Sequence, residues 1–193
     1  MVDRYQNFEE LRCSETEFRI EHNCVPKSSW LIAAPHGGNI ESKTTEIAKA
    51  ISLAAKMSFY SFIGMKKPDG GDLHLTSHRF DEPIALYLAA SHPRLLCVHG
   101  ILAENGEGTW LILGGTFHQG VQLLKQKLTG LVSIRAQTPK GKRYLGVHPK
   151  NLCNQGNAGG GLQIELSSGL RKQLSFNPRL LRSFSKAIAK VLN

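Results

Sequence analysis

No run within the 193 residues is long and apolar enough to span a membrane as a helix, which sets a transmembrane role aside. The first residues, MVDRYQNFEELRCSETEF, hold no apolar h-region. A Sec signal is therefore not expected. Cytoplasmic synthesis is expected, with cell lysis as one route of release. The four cysteines, Cys13, Cys24, Cys97 and Cys153, never fall at C-x-x-C spacing. That argues against a zinc knuckle or a thioredoxin-type motif and leaves buried free thiols as the expectation. There is no RNP-type aromatic pair, helix-turn-helix signature or basic tail. There is also no internal repeat, low-complexity tract or linker, so residues 1–193 read as a single domain.

What is present is a globular composition with a strong charge. Hydrophobic residues make up 41% and charged residues 20%, enough apolar material for a proper core. The formal net charge of +9 draws polyanions: nucleic acid, or an acidic polymer. Short apolar runs alternate with amphipathic segments. Strands are expected at Trp30–Ala34, Phe59–Gly64, Leu73–Ser77, Arg94–Val98, Trp110–Leu113 and Leu162–Leu166. Helices are expected after Ser42 or Thr44, after Asp81 and Pro83, around Phe117–Leu128, and after Asn177-Pro178. Strands alternating with helices predict an α/β fold with a mixed, mostly parallel sheet flanked by helices.

In such sheets ligands gather beyond the carboxyl ends of the strands. His36 follows the first clear strand, in SSWLIAAPHGGNIE, and Glu41 lies five positions further on. That spacing suits a loop, which Gly37 and Gly38 would let fold back. His99 follows the strand Leu95–Val98, and Glu165 lies near the end of the late strand. A catalytic zinc takes three protein ligands and leaves a position for water, with two histidines and a glutamate a standard set. His36, Glu41 and His99 are the candidate ligands for one zinc per chain. Glu165 is the candidate general base, because a carboxylate in an apolar strand bears a desolvation cost.

The segments APHGGNIE, LHLTSHRFDEP, LLCVHG and LQIELSSGLR, in this order, resemble the poly-γ-glutamate hydrolase family of phage and Bacillus. That family is similar to zinc carboxypeptidases in fold and site, although carboxypeptidases use a shorter H-x-x-E pair. The resemblance, from about Trp30 to Arg171, implies a zinc metallohydrolase that cleaves γ-glutamyl amide bonds of poly-γ-glutamate by endo action. It places zinc on His36, Glu41 and His99 and catalysis on Glu165. The substrate carries one α-carboxylate per residue, which gives the basic charge a partner. Arg79 and Arg171, with His78 and Asn154, are the candidates for substrate binding, and either arginine for the oxyanion.

Other readings stay open at this stage. An N-acyl-glutamate deacylase would keep the metal and need a closed pocket. A basic nucleic-acid-binding module would need no metal. Glu165 would also be explained by a buried ion pair with Arg171, and Arg79 by pairing with Asp81 or Glu82. His74 reads as facing the core or a sheet edge, and His118 and His148 as surface residues. The glycines of NLCNQGNAGGGLQIEL precede a strand and lack the P-loop lysine, so they read as a flexible loop beside the site. The basic C-terminal helix reads as an amphipathic surface helix with a solvated face. Oligomeric state is not legible.

Overall fold

A computed structural model describes residues 3–101, 108–136 and 144–193. Six helices and seven strands appear among them. In chain order these are α1 (Phe8–Ser14), β1 (Phe18–Asn23), β2 (Trp30–Gly38), α2 (Thr44–Ala55), β3 (Ser58–Gly64), α3 (Pro83–Ser91), β4 (Arg94–Gly100), β5 (Trp110–Gly114), α4 (His118–Leu128), β6 (Ser133–Arg135), β7 (Leu162–Leu166), α5 (Ser168–Phe176) and α6 (Pro178–Leu192). The strands form one sheet in the order β1-β3-β2-β4-β7-β5-β6. β2 pairs in parallel with β3 and β4, β4 with β7, and β5 with β6. β1 on β3 and β5 on β7 are antiparallel. This is the mixed, mostly parallel sheet that the strand–helix alternation predicts.

Both faces of the sheet are covered, which explains why its central strands read as unbroken apolar runs. Ile32, Val98, Ile164 and Leu166 pack with α2, α4, α5 and α6 on one face, with Phe184 and Ile188 of α6 at the centre. Leu31, Ala33, Tyr60, Leu95 and Cys97 pack on the other with Phe8 and Leu11 of α1 and Leu88 of α3. Among the described residues no helix is long and apolar enough to cross a membrane. Cys97 and Cys153 are buried free thiols as expected, whereas Cys13 and Cys24 are exposed.

Four differences from the sequence reading bear on the site. β2 does not stop at Pro35. It shifts register between Ala34 and Gly37 and pairs with β3 as far as Gly38, so His36 is carried by a bulged strand and not a loop. The bulge needs small residues: a Cβ on Gly37 would lie 2.1 Å from Thr45 Oγ1 and 2.9 Å from the Phe62 carbonyl. Leu73–Ser77 is not a strand. A short 3₁₀ turn at Gly70–Leu73 leads into an irregular wall over 74–79. α2 starts from Lys43 in the left-handed region with no side-chain cap, and Thr44 Oγ1 donates instead to the Glu41 carbonyl at 2.8 Å. At α3 the cap is Glu82, which accepts from Ile84 and Ala85, while Asp81 accepts from the Phe8 amide. The final helix begins as expected, with Asn177 capping the Leu180 amide ahead of Pro178.

Candidate metal centre and active site

From β2 the chain goes to β3 on one side and later to β4 on the other, so the sheet reverses its winding between β2 and β4. That is where a ligand crevice opens in an α/β sheet. His36 comes from β2, Glu41 from the turn after it, His99 from the end of β4, and Glu165 from β7. His99 and Glu165 are register partners on neighbouring strands. A cleft of about 470 Å³ has all four in its lining, with His74, His78, Tyr144, His148, Asn151 and Gln163. His36, Glu41, His99 and Glu165 are all buried.

Three donor groups converge. His36 Nδ1 lies 3.2 Å from Glu41 Oε1, and His99 Nδ1 lies 3.2 Å from His36 Nδ1. His99 Nδ1 is 3.6 Å from Glu41 Oε2. Two ligands about 2.0–2.1 Å from a tetrahedral zinc stand roughly 3.3 Å apart, so these separations are those of one zinc's ligand set. Hydrogen positions point the same way. His36 Nε2 is 2.7 Å from the Leu75 carbonyl, which only accepts, so Nε2 carries the hydrogen. In the neutral ring, Nδ1 is then a bare lone pair aimed at a carboxylate and at another imidazole. A cation or a proton must lie between them.

Without a metal, protonation fills that role. Burial opposes charge on His36, but the Glu41 carboxylate beside it prevails and raises its pKa. Burial also opposes the charge on Glu41, yet His36 and His99 hold its carboxyl well below the usual range. Burial pushes His99 toward the neutral form that binds metal. The Gly100 amide donates to Glu41 Oε2 at 2.8 Å and fixes the carboxylate.

His74 is a third histidine at the centre. His36, Glu41 and His74 present ligand atoms within 4.8 Å of one another, and the His74 ring lies 4.3 Å from that of His36. It lines the cleft and does not face the core. Its Nδ1 is 2.8 Å from the carboxylate of Asp3, which also accepts from the Thr76 amide and hydroxyl. One N-terminal carboxylate thereby pins the wall over residues 74–79.

Glu165 lies opposite these groups. Burial, and then the charge of Glu41, push its pKa well above the carboxylate range, against the opposing pull of Arg171 and a hydrogen bond from Gln163. Gln163 Nε2 donates to Glu165 Oε1 at 2.9 Å and to the Tyr144 carbonyl at 3.1 Å, while its Oε1 accepts from Asn151 Nδ2 at 3.0 Å. The amide orientation of Gln163 is thus set from both sides. Sequence reading missed Gln163 and Asn151. The signal for Gln163 was its place two residues before Glu165 in LQIEL, on the same strand face.

Both candidate arginines lie outside the cleft lining. Arg171 is buried against Gly100 and donates to the carbonyls of Ser42, at 2.6 Å, and Ile101, at 3.0 Å. Its charge offsets Glu41 and Glu165 from below, and no ion pair joins it directly to Glu165 among the described residues. Arg79 is 41% exposed and 3.5 Å from Asp3, in place of the Asp81 or Glu82 partner considered. Asn154 is structural: its amide donates to the Gly146 and His148 carbonyls and its oxygen accepts from Thr116. His78 does line the cleft, 4.8 Å ring to ring from the exposed His148.

The family model for poly-gamma-glutamate hydrolase matches residues 5–190. The chain belongs to the poly-gamma-glutamate hydrolase family. It is 35% identical to YndL of Bacillus subtilis (strain 168) over 175 residues, which cover 89% of this chain and 67% of YndL. It is 32% identical over 176 residues to the SPbeta prophage-derived protein YoqZ of the same strain, covering 90% of this chain and 62% of YoqZ. The chain therefore spans about two thirds of the length of these curated relatives. Among solved structures, a bacteriophage poly-gamma-glutamate hydrolase superposes with a TM-score of 0.89 at 26% identity, covering 98% of this chain and 96% of that one. A zinc-free structure of YndL superposes with a TM-score of 0.86 at 31% identity, covering 99% and 98%. The fold of this hydrolase family thus extends over nearly the whole chain.

Proposed function

We propose that this protein is a zinc-dependent hydrolase of the γ-glutamyl amide bonds of poly-γ-glutamate. The observation that carries the reading is the triangle of His36, Glu41 and His99 donors, 3.2–3.6 Å apart, beside a buried Glu165. Membership of a hydrolase family supplies the substrate class. Zinc, one per chain on His36 Nδ1, His99 Nδ1 and the Glu41 carboxylate, supplies when bound a charge that polarises the amide carbonyl and lowers the pKa of water.

The chain's own groups do the rest. Glu165 accepts the proton of the attacking water and hands it to the departing α-amine. Its burial raises its proton affinity, which suits a group that takes and then gives up one proton. Gln163 and Asn151 hold one oxygen of that carboxylate in place. His74, fixed by Asp3, and His78 face the substrate from the wall. Val147, 51% exposed, and the exposed His148 put one side of the described cleft lining at the surface, as an endo-acting enzyme on a long polymer would require. A small-molecule deacylase would need that side closed.

Incubating zinc-loaded protein with poly-γ-glutamate and following chain length tests the proposal. The polymer should shorten with wild type and stay long with Glu165→Gln. Intact polymer with wild type, or equal cleavage by both, would refute it.

A further inference from the structure

The charge of +9 is not carried by the described lining of the cleft, which contains no lysine or arginine. Basic residues are spread along the chain, but acids are not. Residues 1–107 carry 11 Lys and Arg against 14 Asp and Glu, a balance of −3. Residues 108–193 carry 13 against 1, a balance of +12, and the one acid is the buried Glu165. The helical layer formed by α4, α5 and α6 therefore offers its cations no acidic partner of its own. Every ion pair among the described residues draws its cation from the first hundred residues. The one acid on the adjoining α2, Glu46, is 3.7 Å from Lys43.

The cations of α6 are also aligned. Arg179, Arg182, Lys186 and Lys190 are all exposed, at intervals of three, four and four residues. At 3.6 residues per turn they fall within an arc of about 80° and form one stripe roughly 16 Å long. Phe184, Ile188 and Leu192 anchor the opposite side of the helix in the core. Lys125 and Lys127 of the neighbouring α4 add two more exposed cations to the layer. An ordinary solvated helix face mixes both signs and pairs them at (i, i+4). This one is positive throughout, and self-repulsion is the cost.

We propose that the α6 stripe is a second binding surface for poly-γ-glutamate, holding a stretch of the polymer away from the cleft. This rests on the substrate reading above. The occupant follows from charge complementarity: an extended chain with one carboxylate per residue meets a row of cations that form no ion pair among the described residues, whereas the described lining of the cleft offers no lysine or arginine. Such a surface raises the local concentration of a long polymer at the cleft without altering the chemical step. Short γ-glutamyl oligomers that fill only the cleft gain nothing from it.

The test compares wild type with the quadruple variant Arg179→Gln, Arg182→Gln, Lys186→Gln, Lys190→Gln, on long polymer and on short oligomers, across a salt series. The KM for long polymer should rise about fivefold or more at low salt and lose most of its salt dependence. The kcat and the oligomer kinetics should not change, and the Tm should not fall, since the substitutions remove like-charge repulsion. Equal KM and equal salt slope on long polymer would overturn the proposal, as would a loss that is the same on oligomers. Binding of labelled polymer is measured in parallel in the Glu165→Gln background, with and without the four stripe changes. Failure of wild type to cleave then counts against the enzymatic reading, while the binding comparison still decides the stripe. Loss of duplex DNA binding with polymer binding intact would assign the stripe to nucleic acid and overturn this proposal.

Discussion

His36 and Glu165 owe their chemistry to opposite electrostatic situations within one cleft. His36 sits beside a carboxylate that favours a positive neighbour. Glu165 is buried, faces the charge of Glu41, and is pushed toward its protonated form. In metal-free protein this has a consequence for stability. A carboxyl whose folded pKa is raised keeps a proton that the unfolded chain loses near 4.3, so stability falls as pH rises from there toward the folded pKa. Glu165→Gln should flatten this dependence, and denaturant titrations from pH 4 to 8 on zinc-free protein will read it. An unchanged slope would contradict the burial argument. Gln163 is tested separately. Gln163→Leu leaves Glu165 Oε1 and Asn151 without their partner, so kcat should fall about tenfold or more with KM little altered and zinc content retained. A change in KM alone would show that Gln163 binds substrate and does not position the glutamate.

At the scale of elements, the strand ends were legible because buried parallel strands announce themselves as apolar runs. Leu162–Leu166 coincides in sequence and structure, and the polar residues in or just after such runs, His36, His99 and Glu165, are the ones the crevice collects. The bulge in β2 was not legible. Proline and two glycines read locally as a turn, and only pairing with β3 keeps them extended. β1 and β6 went unread because they are edge strands without a buried residue, so neither reads as an apolar run, and α1 and α5 went unread with them. Arg171 shows the same limit: arginine beside a site suggests substrate, but its Nη1 and Nη2 donate to the Ser42 and Ile101 carbonyls. Gly37→Ala makes the bulge's role measurable. A Cβ there collides with Thr45 and the Phe62 carbonyl, so about 1–3 kcal/mol of stability should be lost, along with part of the zinc affinity. Full stability by chemical denaturation would show that the close packing of β2 on β3 is dispensable.

For the whole molecule, a metal held by His36, Glu41 and His99 would tie together strands that are far apart in sequence. A ligand that binds the folded state at a hundred times its dissociation constant adds about 2.7 kcal/mol. For a chain of this size that raises Tm by roughly 5–10 °C. Chelation should reverse the shift, and His36→Ala should abolish it, as differential scanning calorimetry will show. The most direct test of the centre is the metal content of protein purified without added metal, for wild type, His36→Ala, His99→Ala and His74→Ala. The ligand set of His36, Glu41 and His99 predicts about one zinc per chain in wild type, its loss in both His36→Ala and His99→Ala, and its retention in His74→Ala. Zinc retained without His99 and lost without His74, or no zinc in wild type, would contradict it.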